Sequence, residues 1–160
     1  MKPSILLCSH DAGGANLLLA WALTHPENSY GTLLSGPAIN IYKKSNLNYN
    51  QHENIESLPQ NIDKFICSTG WQADWEKTVI EFCIGNNKDV TVYLDHWVNY
   101  LERFTRNNTQ YLPDEIWVGD AYAEKIAKKH FPESTIKLVE NPYFLISAEA
   151  QHLSSLIVVI

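Results

Sequence analysis

Ser9-His10-Asp11-Ala12-Gly13-Gly14-Ala15-Asn16 and Asp95-His96-Trp97-Val98-Asn99-Tyr100 each follow directly on a short apolar run, and together they carry two imidazoles and two carboxylates. An imidazole beside a carboxylate is suited to taking a proton from a hydroxyl, because its unperturbed pKa lies near neutrality. His10, Asp11 and His96 are therefore the candidate catalytic residues, with His96 the candidate base. The plainer role for Asp95-His96 is a hydrogen-bonded pair that holds a loop in place, and the residues alone leave both readings open.

Gly13-Gly14 lets backbone amides approach an anion at the positive end of a following helix, with Asn16 as a side-chain donor. The same pair serves equally well as a tight strand-to-helix turn. It is not a dinucleotide fingerprint, because Leu17 to Leu19 fills the place where the third glycine of G-x-G-x-x-G would fall. Asn99, Tyr100 and Arg103 recur at the interval of a helical turn. Arg103 is able to grip a phosphate or carboxylate bidentately, or to pair with Glu102 or Asp95. Gly36 within Ser35-Gly36-Pro37, Thr69 and Gly70 within Ser68-Thr69-Gly70, Asn141 ahead of Pro142, and Trp97 as a ring to stack on a ligand complete the candidate binding set with Asp95.

These residues need strands and helices to position them. Ile5–Cys8 reads as a buried parallel strand, and the segment after Gly14 through Leu23 is apolar on nearly every side, as in a deeply packed helix closed by His25 and Pro26. Further strands are expected at 32–35, 65–68, 90–94, 116–118 and 136–139, with a short one near 54–57. A helix begins at Pro37. Another opens at Thr69-Gly70 with Trp71, Trp75, Val79, Phe82 and Cys83 on its apolar face, and stops at Gly85-Asn86-Asn87 by a left-handed cap. A third follows Asp120 as N-cap and ends at Lys128-Lys129-His130 before Pro132. This alternation predicts a single Rossmann-like α/β domain, a mostly parallel sheet with helices on both faces. Loops leaving the carboxyl ends of parallel strands gather on one edge, where such folds hold ligands, so the two opening segments are expected to share one crevice.

Composition narrows the partners. A chain of 160 residues with 45% hydrophobic residues buries one substantial core, and a formal net charge of -6 argues against a nucleic-acid partner, which needs clustered Lys and Arg. Cys8, Cys67 and Cys83 are odd in number and widely spaced, without metal-ligand spacing; they read as reduced core thiols, which favours the cytoplasm. No metal or other cofactor is expected. The apolar run at the amino terminus is too short for a secretory signal, and no stretch reaches transmembrane length. Asn107-Asn108-Thr109 matches a glycosylation sequon that a cytoplasmic chain would not use. Residues 1–145 are expected to form the α/β domain and 146–160 a linker and terminal strand. The apolar Ser155–Ile160 run either joins the sheet edge or opens a second domain.

The layout resembles the amino-terminal, acceptor-side half of GT-B type glycosyltransferases and their relatives among polysaccharide-biosynthesis and sugar-nucleotide epimerase-like proteins. The resemblance lies in the first strand with its Gly-rich turn, Phe65 to Gly70 ending in Thr-Gly, Ile116 to Asp120 before a helix, and Val139-Glu140-Asn141-Pro142-Tyr143, similar to an x-G-N-P hinge with Glu140 in place of glycine. It implies that His10, Asp11 or His96 faces an interdomain cleft and activates an acceptor hydroxyl. It implies a sugar acceptor or sugar nucleotide as ligand, a second Rossmann-like domain or subunit to grip the donor, and a role in surface-polysaccharide synthesis. Little or no transfer is expected from these residues alone. The alternatives are a stand-alone module that binds a sugar or phosphate without catalysis, and a small hydrolase or epimerase that uses both histidines.

Overall fold

A computed structural model describes residues 4–142. In chain order the elements are β1 (Ser4–Ser9), α1 (Ala12–Leu23), β2 (Ser29–Leu34), α2 (Pro37–Lys43), β3 (Tyr49–His52), β4 (Lys64–Cys67), α3 (Trp75–Gly85), β5 (Val90–Leu94), α4 (Tyr100–Arg103), β6 (Thr105–Arg106), β7 (Thr109–Gln110), β8 (Glu115–Val118), α5 (Ala121–His130) and β9 (Thr135–Leu138). Seven of the strands form one sheet in the order β3-β2-β1-β4-β5-β8-β9, and every neighbouring pair is parallel. The chain winds outward from β1 in one direction and, after β3, from β4 in the other. The reversal between β1 and β4 opens a crevice at their carboxyl ends.

The central strands are continuous apolar runs because both their faces are covered. Side chains alternate across the sheet, so Leu6, Cys8, Phe65, Cys67, Val92 and Leu94 pack with α3 and α5 on one face. Ile5, Leu7, Ile66, Tyr93 and Trp117 pack with α1 and α2 on the other. Helices therefore lie on both faces, and the α/β architecture expected from the residues is present. In α1, Ala15, Leu18 and Ala22 are fully buried. His25 closes that helix: its Nδ1 donates to the Trp21 carbonyl at 2.7 Å while its ring stacks on Trp21 at 4.3 Å. Asp120 caps α5, accepting from the Ala123 amide at 2.7 Å.

Several local expectations need correcting. The polar stretch from Ser45 to Asn61 holds its strand at Tyr49–His52, and residues near 54–57, where a strand is expected, instead make a 3-10 turn capped by the Asn54 side chain. The helix expected from Thr69-Gly70 starts only at Trp75, so Trp71 lies in the preceding loop and is 46% exposed. Helical spacing alone cannot distinguish one further turn from a loop that happens to carry Trp in phase. The left-handed residue after α3 is Asn87, not Gly85, and Lys88 donates back to the Cys83 carbonyl. Asn107 and Asn108, read only as a sequon, both adopt positive φ and turn the β6–β7 hairpin, as a two-residue I′ loop demands. The apolar Ser155–Ile160 run, expected to join the sheet edge or open a second domain, lies outside the described residues. Among the described residues no helix is long and apolar enough to cross a membrane.

Candidate functional site

At the reversal of strand order the loops after β1 and β4 are tied by a buried polar knot. Ser9 Oγ and Ser68 Oγ are 2.7 Å apart, and Ser68 Oγ in turn donates to Glu76 Oε1 at 3.2 Å. The same oxygen accepts the His10 amide at 2.9 Å. Glu76 is 1% exposed, and its Oε2 is buried with no hydrogen-bond partner. Burial pushes its carboxyl above the ordinary glutamate value, against the hydrogen bonds that hold the charged form. Sequence reasoning missed Glu76, because the first turn of an amphipathic helix is where an acidic residue favoured by the helix dipole is expected anyway. Ser9 and Ser68 gave no signal beyond their place at strand ends.

His10 and Asp11 face the neighbouring loops. His10 Nδ1 lies 2.7 Å from Asp11 Oδ1. The imidazole packs on Gly36, whose φ of +52° and lack of a side chain admit the ring. Asp11 sits against Gly70, where a Cβ would overlap its Oδ2. Gly14 is pressed against the Ser68 side chain, so the second glycine of the turn serves close packing of α1 on the β4 loop.

Gly13 instead faces the loop after β5. A cleft of about 250 Å³ opens there, lined by Gly13, Asn16, Leu17, Asp95, His96 and Asn141. A second hollow of about 220 Å³ shares Leu17, Asp95, His96 and Asn141 and extends to Trp97 and Asp120. The β1 and β5 loops thus meet through Gly13 and Asp95, but His10 and Asp11 do not line these hollows. Asn16, which lines the cleft, donates to the Ala12 carbonyl at 2.9 Å.

Asp95 is the organising group. Its Oδ1 accepts from Arg103 Nη1 at 2.9 Å, and its Oδ2 lies 3.9 Å from His96 Nε2. Burial raises the Asp95 pKa above the ordinary value, outweighing the opposing pull of Arg103 and His96. Arg103, expected as a ligand for phosphate, is 2% exposed and engaged with the protein: Nη1 also donates to Thr69 O at 2.9 Å and Thr69 Oγ1 at 2.8 Å, and Nε donates to Val98 O at 3.0 Å. Of the two roles left open for it, pairing with Asp95 is the one present. Thr69 is buried as its partner. Tyr100 is likewise buried, packed parallel to Phe131, and Asn99 opens α4 with a φ of +58°. Arg103, Thr69 and Tyr100 hold the loop from within.

His96 and Trp97 remain at the surface. The His96 side chain is 67% exposed and the Trp97 residue 56%. Trp97 is nevertheless held, with Nε1 donating to Asp120 Oδ2 at 3.0 Å and its ring edge-on to Tyr122 at 5.6 Å. A fixed, exposed indole lining the hollow next to Asp95 presents a flat apolar face to a ligand.

The electrostatics favour a neutral ligand over an anion. Asp11, Glu76, Asp95 and Asp120 gather at this edge, and the one arginine among them is engaged internally. A hydroxyl oxygen about 2.8 Å from both Asp95 Oδ2 and His96 Nε2 would close a triangle with them, a geometry in which either atom accepts its proton. Among the described residues no group of three or more His, Cys, Asp and Glu is arranged to hold a metal ion. No protein-family model matches the chain, and no curated protein matches it.

Proposed function

We propose that this chain is the acceptor-binding half of a GT-B-like sugar transferase of surface-polysaccharide synthesis, taking a neutral hydroxylated sugar in the cleft between Gly13 and Asp95. The observation that carries the reading is the Asp95–His96 pair in that cleft. Asp95 Oδ1 is fixed by buried Arg103 while Oδ2 and the exposed His96 imidazole face the space where a hydroxyl would sit. Asp95 or His96 would take the proton of the attacking hydroxyl, and Trp97 would stack on the sugar ring. The parallel sheet and its ligand edge fit the acceptor domain of that architecture. A donor phosphate would find little support at this carboxylate-rich edge, so donor binding falls to a second Rossmann-like domain or subunit. His10 and Asp11 then position the β1, β2 and β4 loops rather than touch the acceptor.

One observation favours the alternative of a binding module without catalysis: at 3.9 Å, His96 and Asp95 are not directly hydrogen-bonded. The test is an NMR titration that follows the Trp97 indole N–H with neutral mono- and disaccharides, glucose 1-phosphate and uridine diphosphate. The neutral sugars are expected to shift that resonance, and His96→Ala to weaken the response while leaving the fold intact. A response confined to uridine diphosphate would refute the acceptor reading. Transfer from a sugar nucleotide, measured with the complementing domain supplied, separates the two readings: loss of turnover in His96→Ala supports catalysis, and absence of turnover in the wild type supports the module.

A further inference from the structure

Another hollow lies at the opposite edge of the sheet, where the strands begin. It measures about 370 Å³, within the range of small-molecule sites, and is formed by the end of α1 and the starts of β2 and β3. Its polar lining comes from neutral side chains, chiefly the amides of Asn28, Asn46, Asn48 and Asn50, and no carboxylate, ammonium, guanidinium or imidazole contributes.

The chain leading into β3 explains this arrangement. From Asn46 to Asn50, exposed asparagines alternate with Leu47 and Tyr49, which pack against the core. Alternation in extended chain turns Asn46, Asn48 and Asn50 to one side, over a span of at most about 14 Å. All three are exposed, so a ligand can meet their side-chain donors and acceptors in place of water. The floor, by contrast, is braced. Tyr49 packs edge-on to Tyr42 at 5.8 Å, and the Tyr30 hydroxyl donates to the His25 carbonyl at 2.8 Å while accepting from Asn28 at 3.3 Å. Leu23, 41% exposed, adds an apolar wall.

We infer that this hollow is a second binding site, for an uncharged carbohydrate. Each sugar hydroxyl is both donor and acceptor, which is what a row of carboxamides matches, and the C–H faces of a pyranose fit against Leu23 and Leu47. An anion would find no cation in the lining, and the carboxylate beside it, Glu27, lies 3.5 Å from Asn28 Nδ2 and repels one. The inference stands on this hollow alone and does not require the transferase reading.

The experiment is a titration of the isotope-labelled full chain with N-acetylglucosamine and maltose, with glucose 1-phosphate and triglycine as comparisons, read at the side-chain amides of Asn46, Asn48 and Asn50. A neutral sugar is expected to shift these signals in a saturable way, with glucose 1-phosphate binding no more tightly and triglycine inert. Asn48→Ala combined with Asn50→Ala should weaken that binding by roughly tenfold while the remaining spectrum is unchanged. Absence of shifts with both neutral sugars up to solubility, or preferential binding of the phosphate or the tripeptide, would overturn the inference. So would shifts that track protein concentration rather than sugar, which would assign the face to self-association along the β3 edge.

Discussion

Arg103→Met is the sharpest probe of how the cleft is built. Arg103 is 2% exposed and the Asp95 side chain 10% exposed, so their 2.9 Å contact is largely shielded from water. Removing one partner of such a buried pair leaves an uncompensated charge and costs about 3–5 kcal/mol, well above a surface ion pair. The same change also strips hydrogen bonds from Thr69 and Val98, while Met keeps most of the packing volume. Urea unfolding followed by tryptophan fluorescence should therefore show a loss of about 3–5 kcal/mol near neutral pH. The sign with pH follows from Asp95. Burial already holds its folded pKa above the ordinary 3.8, and loss of Arg103 removes the nearby positive charge that opposes the rise. The folded variant therefore holds the Asp95 proton to higher pH than the folded wild type does, and its stability relative to wild type falls as pH rises from the raised wild-type pKa to the still higher one of the variant. The penalty should be smaller in mild acid than at neutrality. Adding Asp95→Asn removes the stranded charge and should recover part of the loss. A penalty below about 1 kcal/mol, or one independent of pH, would refute the assignment of Arg103 as the buried anchor of Asp95.

Two further perturbations test the knot and the turn. Glu76→Gln keeps an oxygen for the His10 amide but cannot ionise; since burial holds the folded Glu76 pKa above 4.5, the wild type loses stability as pH rises from there, and the variant's relative stability should climb over the same interval. A stability difference that stays flat with pH, read by urea unfolding, would show that Glu76 ionises as freely in the fold as out of it. Gly14→Ala should cost about 1–3 kcal/mol, because the new Cβ overlaps the Ser68 side chain close to its backbone, whereas Gly13→Ala meets Asp95 Oδ2 at 3.1 Å, so the carboxylate that Arg103 holds must give only by a few tenths of an ångström and the cost should be smaller. Equal thermal midpoints for the two alanine variants would contradict that division of roles.

The parallel α/β architecture was legible in the chain because its cause is local and repeated: short β-branched runs such as Val90–Leu94, each followed by a stretch of helical periodicity. The candidate edge was legible for the same reason, since His10, Asp95 and Asn141 each stand just past the end of a strand. Which of these residues share a hollow was not. The strand order places the β5 loop beside the Gly13 turn and turns His10 toward Gly36, a decision made by crossovers far apart in sequence. Arg103 read equally well as a ligand clamp or a structural ion until the fold set Thr69, 34 residues away, within 2.8 Å of it. Glu76 shows the limit most plainly: its residue type fits an exposed helix turn, and only packing of α3 over the β1–β4 reversal takes its carboxyl out of water and gives it the His10 amide to hold.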